Sequence, residues 1–361
     1  MGMKRVAIVG GGIAGLTVAL RSAAHGSEVT LFEAAAKVGG QLVSELDAGF
    51  VIEHGAEGFV ARSEAVPSLA HTVGIADHLI DQLVQQSFRF NDGKLTALAP
   101  GEAGRMLGFQ VASDELGRGI RSFRNGMAEL AESVAAYLQA RCTLALSTRV
   151  TRITPLSHGA AVVLPTGESR TFDAVIVATT ARSAAALLAE AFAEPARALE
   201  QAALSSSVTV SLAYAKSQVS HPLDGTGLIV AAPEAVAGLR AVTFVSSKLP
   251  HRAPADYALF RCFFRPSPED LAKLSDATWQ ARAERSLGLT LPISGAAERA
   301  WVSRWGDALP VFDDTHRARV SALETVLTPA RIWLAGSAFH GSGIDAAIRS
   351  AERTAAALAS A

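Results

Sequence analysis

The chain is poor in cysteine: its 361 residues hold only Cys142 and Cys262, with no C-x-x-C pair. A disulfide framework and a dithiol redox motif are therefore excluded. Nine histidines are scattered without the helical or short-loop spacing that gathers metal ligands, so no metal is expected. A formal net charge of -1, with no block of like charge, leaves no basic field to attract nucleic acid or an anionic membrane surface. No apolar run reaches the ~20 residues of a membrane-spanning helix, and the first residues read as a strand rather than a signal peptide. The expectation is a soluble, cytoplasmic protein, with homo-oligomerisation left open. Its length exceeds one ordinary domain, and 49% hydrophobic content readily supplies a buried core.

What the chain does have is glycine in two telling places. Val9-Gly10-Gly11-Gly12-Ile13-Ala14-Gly15 follows an apolar strand, Lys4 to Val9, and opens a helix, Ala14 to His25. In such a strand, turn and helix, Gly10 lets the chain turn, Gly12 lets backbone amides approach a pyrophosphate, and Gly15 lets helix and strand pack closely. Ile13 and Ala14 supply amides at the positive helix end. A second apolar run, Glu28 to Phe32, ends in Glu33, about 23 residues after Gly10, where a ribose-binding acid belongs. That acid argues against NADP, whose extra phosphate it would repel, and leaves FAD and NAD open. The next stretch, Lys37-Val38-Gly39-Gly40-Gln41, adds a second glycine pair of the kind found in FAD enzymes resembling the amine oxidases, although a plain β-turn reads as well.

The second place is Ala335-Gly336-Ser337-Ala338-Phe339-His340-Gly341-Ser342-Gly343-Ile344-Asp345, preceded by a strand, Arg331 to Ala335, and followed by a helix, Asp345 to Leu358. A helix beginning near Gly343 and Ile344 can aim its positive end at a flavin and favour the anionic reduced ring. Asp345 also suits a capping or first-turn acid. No cysteine lies near this segment, so FAD is expected to be held non-covalently.

Between these ends the pattern predicts a helix over Met127 to Ala140, strands within Leu144 to Leu164, a turn at Pro165-Thr166-Gly167 and a buried strand over Ala174 to Ala178. Short β-rich runs at Thr209 to Ala215, Gly227 to Ala231, Ala241 to Ser246 and Tyr257 to Phe264 alternate with Pro and Gly turns, which predicts an antiparallel sheet. The fold class is α/β. The predicted division is a discontinuous dinucleotide-binding domain, 1–62, 122–185 and 301–361, interwoven with an α+β substrate domain, 63–121 and 186–300.

Several stretches resemble the protoporphyrinogen oxidase family. They are His221-Pro222-Leu223-Asp224-Gly225-Thr226-Gly227-Leu228-Ile229-Val230, then Thr243-Phe244-Val245-Ser246-Ser247-Lys248-Leu249-Pro250-His251-Arg252-Ala253-Pro254, Leu309-Pro310-Val311-Phe312 with His316, and Gly336 to Ile344. The resemblance implies a Rossmann-like FAD-binding domain of the amine oxidase type and an FAD-dependent oxidase. Its substrate would be a porphyrinogen, protoporphyrinogen IX or coproporphyrinogen III, and O2 its electron acceptor, in tetrapyrrole biosynthesis. It also implies that Gly55, Ala56, Val150, Ala178, Thr179 and Trp305 border the cofactor, with core-strand packing the alternative for Val150 and Ala178. No catalytic acid or base is named, because the aromatising substrate can lose its pyrrole protons through tautomers. Arg62 matches the place of a basic group for a substrate propionate, or is an exposed arginine at a helix start. Leu228, Phe244 and Phe339 are candidate apolar walls, or plain core.

The chain departs from the family between Phe90-Asn91-Asp92-Gly93-Lys94-Leu95 and Ser122-Phe123-Arg124-Asn125-Gly126-Met127. Family members carry a long helical, membrane-facing region there, and this chain has only Thr96 to Arg121. Thr226, Ala232 and Val311 also depart from its pattern. Two further readings stay open: a flavin oxidase or desaturase of another flat or cyclic substrate, and a flavin- or porphyrin-binding protein without turnover.

Overall fold

The computed structural model describes residues 3–106 and 119–360. Five parallel strands form its first sheet, in the spatial order Thr143–Ala145, Glu28–Phe32, Arg5–Val9, Ala174–Val177, Ile332–Leu334. Each is short and nearly all apolar, as expected of strands covered on both faces. Alternate residues feed two cores. Val6, Ile8, Ala174 and Ile176 face the helices Ile13–Ala24, Ala128–Leu138 and Ile344–Ser360. Ala7, Val9, Val175 and Val177 face an antiparallel layer, Arg152–Pro155, Ala160–Val163 and Ser169–Phe172, with the helices Ala181–Leu188, Ala193–Glu200 and Asp314–Leu327 beside it.

The second large sheet has seven strands in the order Arg299–Pro310, Leu204–Ala215, Tyr257–Phe264, Leu239–Phe244, Gly227–Val230, Ser87–Asn91, Lys94–Ala97. All neighbours are antiparallel except Gly227–Val230 with Ser87–Asn91. Helix Asp276–Thr290 covers one face, where Trp279, Ala283 and Leu287 meet Val208, Val210, Leu212, Phe260 and Cys262. Ser275 starts that helix by accepting the Thr278 amide on its side chain, and Asp313 does the same for His316 at the head of Asp314–Leu327.

The expected elements are found with small shifts. The helix predicted from Ala14 spans Ile13–Ala24, that from Met127 spans Ala128–Leu138, and that from Asp345 spans Ile344–Ser360. The apolar stretch Leu46 to Ile52 is a hairpin, Ser44–Asp47 with Phe50–Glu53, because Ala48 and Gly49 take positive φ between them. The connection Thr96 to Arg121 contains the one-turn helix Glu102–Met106 and the start of strand Ile120–Phe123; its residues 107–118 lie outside the described part. Among the described residues no helix is long and apolar enough to cross a membrane.

Candidate functional site

The N-terminal turn is built by close approach. Gly10 has φ +114°, and a Cβ on Gly15 would lie 1.9 Å from the Gly10 carbonyl oxygen, so helix Ile13–Ala24 seats against its strand only with glycine there. Gly10 N donates to Phe32 O at 2.8 Å and Ala178 N to Val9 O at 2.8 Å, which ties Ala178 and the neighbouring Thr179 to the turn. The helix has Gly12 at its N-cap and no side-chain cap. Its first amides thus point outward with the positive end of the helix dipole.

Glu33 closes one side of this turn. Its carboxylate accepts from Gly11 N at 2.6 Å and from Ala35 N at 2.8 Å, which holds it at the end of the second parallel strand with lone pairs to spare for hydroxyl donors. The Gly39-Gly40 pair docks on the other side: Gly39 N donates to Gly11 O at 2.9 Å, and Gly12 and Gly39 form a parallel bridge. Lys37 is exposed on the same loop, and Val150, 8% exposed, packs in the adjoining core.

The C-terminal turn arrives at the same helix. Gly336, φ +112°, approaches Ala14 so closely that a Cβ there would lie 3.0 Å from that of Ala14. Ser337 is half-buried beside it. Gly343, φ +94°, has open space where a side chain would be, and Ile344 begins the helix behind it. His340 braces the loop between Ser350 Oγ at 2.8 Å and Glu324 at 2.7 Å. Asp345 is 4% exposed and occupied by its own chain, accepting from Ser63 Oγ at 2.5 Å and pairing with Arg349 at 2.8 Å. That is the structural role offered as its alternative. Through Ser63 it brings Arg62 to the start of the C-terminal helix. Arg62 is half-buried, and its guanidinium has no carboxylate within ion-pair range among the described residues.

A third wall joins Gln41, Gly55, Ala56 and Trp305. Ala56 N donates to Gln41 O at 3.1 Å, Gln41 Nε2 to Ala308 O at 2.9 Å, and Trp305 Nε1 to His54 O at 2.6 Å. The uncapped helix, the facing glycines Gly12 and Gly40, and Glu33 together fit a dinucleotide: amides for the pyrophosphate, an acid for a ribose, and no Cβ between them.

The apolar wall candidates are all buried. Leu228 and Phe244 are 2% and 0% exposed on the helix-covered face of the seven-stranded sheet, and Phe339 is 2% exposed in the core beside the parallel sheet. Their burial is that of core residues, the alternative given for them. The opposite face of that sheet carries Thr209, Ser211, Thr243, Arg261, Ser303 and Trp305 at the alternating positions.

Sequence reasoning missed a buried ionic cluster behind Gly55. Glu53 pairs with Arg252 at 3.3 Å, and Glu57 with Lys248 at 2.9 Å and Arg261 at 3.9 Å. Ser44 Oγ at 2.6 Å and Met127 N at 2.8 Å also donate to Glu53. Burial pushes the Glu53 carboxyl above its ordinary range against the pull of Arg252. For Glu57 burial acts the same way, but Lys248 and then Arg261 outweigh it and hold the carboxyl below the ordinary range. Burial lowers the Arg261 guanidinium, opposed by Glu57 and Glu53. The only signal in the sequence was that charged residues stand inside otherwise apolar strands, as in Phe260-Arg261-Cys262 and Ile52-Glu53. Near the cluster, His54 links Ser303 Oγ at 2.8 Å to Glu45 at 2.7 Å.

Comparison with known proteins concerns the chain as a whole. Residues 101–359 match the model for flavin containing amine oxidoreductases, and residues 8–72 that for an NAD(P)-binding Rossmann-like domain. The chain is 23% identical to a coproporphyrinogen III oxidase of Bacillus subtilis (strain 168) over 456 aligned positions, covering 95% of each. It is 26% identical to that of Mycobacterium tuberculosis (strain ATCC 25618 / H37Rv), covering 96% of this chain and 95% of the relative. The 456 positions exceed the chain's 361 residues, so the Bacillus relative carries segments absent here. A crystal structure from Exiguobacterium sp. 255-15, assigned as a protoporphyrinogen oxidase, shares the fold with a TM-score of 0.84 at 22% identity, covering 99% of both chains.

Proposed function

The chain belongs to the flavin-containing amine oxidoreductase family, and on that footing we propose that it is a porphyrinogen oxidase holding FAD non-covalently. The observation that carries the reading is the meeting of the two glycine turns, Gly336 against Ala14, on one uncapped helix start, in a chain whose relatives are named as coproporphyrinogen III oxidases over nearly their full length. Bound flavin supplies two-electron oxidation, and O2 serves as acceptor.

The chain's own residues then bind and orient. Amides of Ile13 and Ala14 would hold the pyrophosphate, Glu33 the ribose hydroxyls, and the helix start at Gly343 and Ile344 the anionic side of the reduced ring. Arg62 would pair with a carboxylate of the porphyrinogen, protoporphyrinogen IX or coproporphyrinogen III. No side chain is assigned as acid or base: three two-electron rounds aromatise the macrocycle, pyrrole protons leave through tautomers, and the protein's task is placement and exclusion of water. The segments absent relative to the Bacillus protein favour a second reading, oxidation of another flat cyclic substrate by the same flavin site.

The test is to record the visible spectrum of the purified protein and mix it aerobically with each porphyrinogen, following porphyrin fluorescence and peroxide against an enzyme-free control. A yellow protein that accelerates porphyrin and peroxide formation establishes the reading and selects the substrate. A yellow protein that leaves the control rate unchanged rejects it.

A further inference from the structure

Behind the Gly55–Ala56 turn, charge does not balance. Among the described residues the enclosed cluster holds two carboxylates, Glu53 and Glu57, against three cations, Lys248, Arg252 and Arg261. Arg252 has Glu53 at 3.3 Å, while Lys248 and Arg261 share Glu57 at 2.9 Å and 3.9 Å. The member with the longest ion pair is Arg261, 4% exposed in the third strand of the seven-stranded sheet; its Nε, like Nε and Nη1 of Arg252, has no hydrogen-bond partner among the described residues. A buried cation with so distant a carboxylate is costly unless something else in the folded site uses it.

What it does hold is backbone. Arg261 Nη2 donates to Gly55 O at 2.7 Å, with His54 O and Thr209 Oγ1 each at 3.4 Å. Trp305 Nε1 donates to the same His54 carbonyl at 2.6 Å. Two donors from neighbouring parts of one sheet face thus grip consecutive carbonyls, while the Gly55 and Ala56 amides are taken by Val43 O and Gln41 O. A Cβ on Gly55 would lie 1.8 Å from Gln41 O. The turn is held on both sides, and the guanidinium is one of the groups that fix it.

We propose that Arg261 is a positioning residue of the flavin site: it fixes the turn that borders the cofactor and sets the cluster's surplus positive charge behind it, where that charge favours the anionic reduced flavin. This rests on the reading of Gly55 and Ala56 as flavin-bordering, and it requires no particular organic substrate. A fixed, dry positive charge is felt more strongly than an exposed one, so its removal lowers the flavin midpoint potential. Loss of the grip on the turn separately weakens cofactor binding.

The experiment compares wild type, Arg261→Gln and Arg261→Lys. FAD affinity is measured by fluorescence titration of the flavin-stripped full chain, and the midpoint potential by spectroelectrochemical titration of the holoprotein. The thermal midpoint of the flavin-free form monitors folding. Arg261→Gln is expected to weaken FAD binding about tenfold and to lower the potential. Arg261→Lys, which keeps the charge but not the fork, is expected to weaken binding while retaining most of the potential. A folded Arg261→Gln protein with wild-type affinity and potential overturns the proposal. If Arg261→Gln does not fold, Arg261→Lys decides it, and unchanged affinity overturns it. A wild type that binds no FAD overturns the flavin reading itself, whereas a wild type that binds FAD but ignores porphyrinogens rejects only the substrate and leaves this test intact.

Discussion

Gly336 approaches Ala14 so closely that a Cβ added to it would lie 3.0 Å from the Ala14 Cβ, tighter than ordinary van der Waals contact. Gly336→Val therefore places a branched side chain at φ +112° against the first turn of helix Ile13–Ala24. Backbone strain of about 1–3 kcal/mol is expected, together with loss of tightly bound FAD. Thermal unfolding and flavin release on desalting measure the two effects.

Glu33 is held by the Gly11 and Ala35 amides, so its carboxylate is already oriented for the ribose proposed above. Glu33→Ala removes the hydroxyl acceptor and leaves those amides unpaired. FAD binding should weaken by about 1.5–3 kcal/mol, the range for hydrogen bonds to a charged group, and Glu33→Gln should lose less. Fluorescence titration with FAD distinguishes the two variants.

Glu57 lies below its ordinary value of 4.5 in the folded protein. The stability it contributes is present above the unfolded pKa and lost as pH falls from there through the folded pKa. Glu53, raised by burial, acts with opposite sign, its folded form gaining as pH falls. Glu57→Gln should therefore flatten the acid-side loss below about pH 4.5. At neutral pH it should be less stable by about 3 kcal/mol, because Lys248 and Arg261 lose their shared partner. Urea unfolding at a series of pH values from neutral to acid reads both changes.

Phe244 contacts Phe260 edge-on, with ring centroids 5.9 Å apart, in the core under helix Asp276–Thr290. Phe244→Ala should cost about 3–5 kcal/mol of stability at unchanged KM in whatever protein remains folded. A selective rise in KM without destabilisation would return Phe244 to the substrate wall.

Arg62 stands beside the head of the C-terminal helix without an internal carboxylate partner among the described residues. Arg62→Gln should raise KM for a porphyrinogen about tenfold, as expected for a lost charged hydrogen bond, with partial recovery in Arg62→Lys. Porphyrinogen methyl esters, which lack the carboxylate, should be insensitive to both substitutions.

The parts of the site that could be read in advance are local in sequence. Gly10 to Gly15, Glu33 and Gly336 to Ile344 each announce themselves within a dozen residues, because strand, turn and helix are consecutive and their chemistry depends on backbone geometry. Which face of a strand looks at the cofactor is not local. Leu228 and Phe244 alternate with Gly227 and Thr243, and only pairing with Val242 and Phe260 in the finished sheet decides the side. The ionic cluster was equally hidden, since Glu53 in the hairpin, Glu57 in the loop after it, Lys248 and Arg252 at and after the short helix Val245–Lys248, and Arg261 in the seven-stranded sheet are brought together from two distant stretches of sequence.

The edge strand Ile332–Leu334 pairs with Ala174–Val177, and the helix after it packs on Ile13–Ala24. During synthesis the ribosome delivers the first half of the dinucleotide site well before its counterpart, with the whole of the seven-stranded sheet made in between. A nascent chain must therefore carry an uncovered apolar flank on that first helix until the helix Ile344–Ser360 has been made. Loading with flavin can only follow, and cofactor supply should govern how much of the newly made protein escapes aggregation and proteolysis.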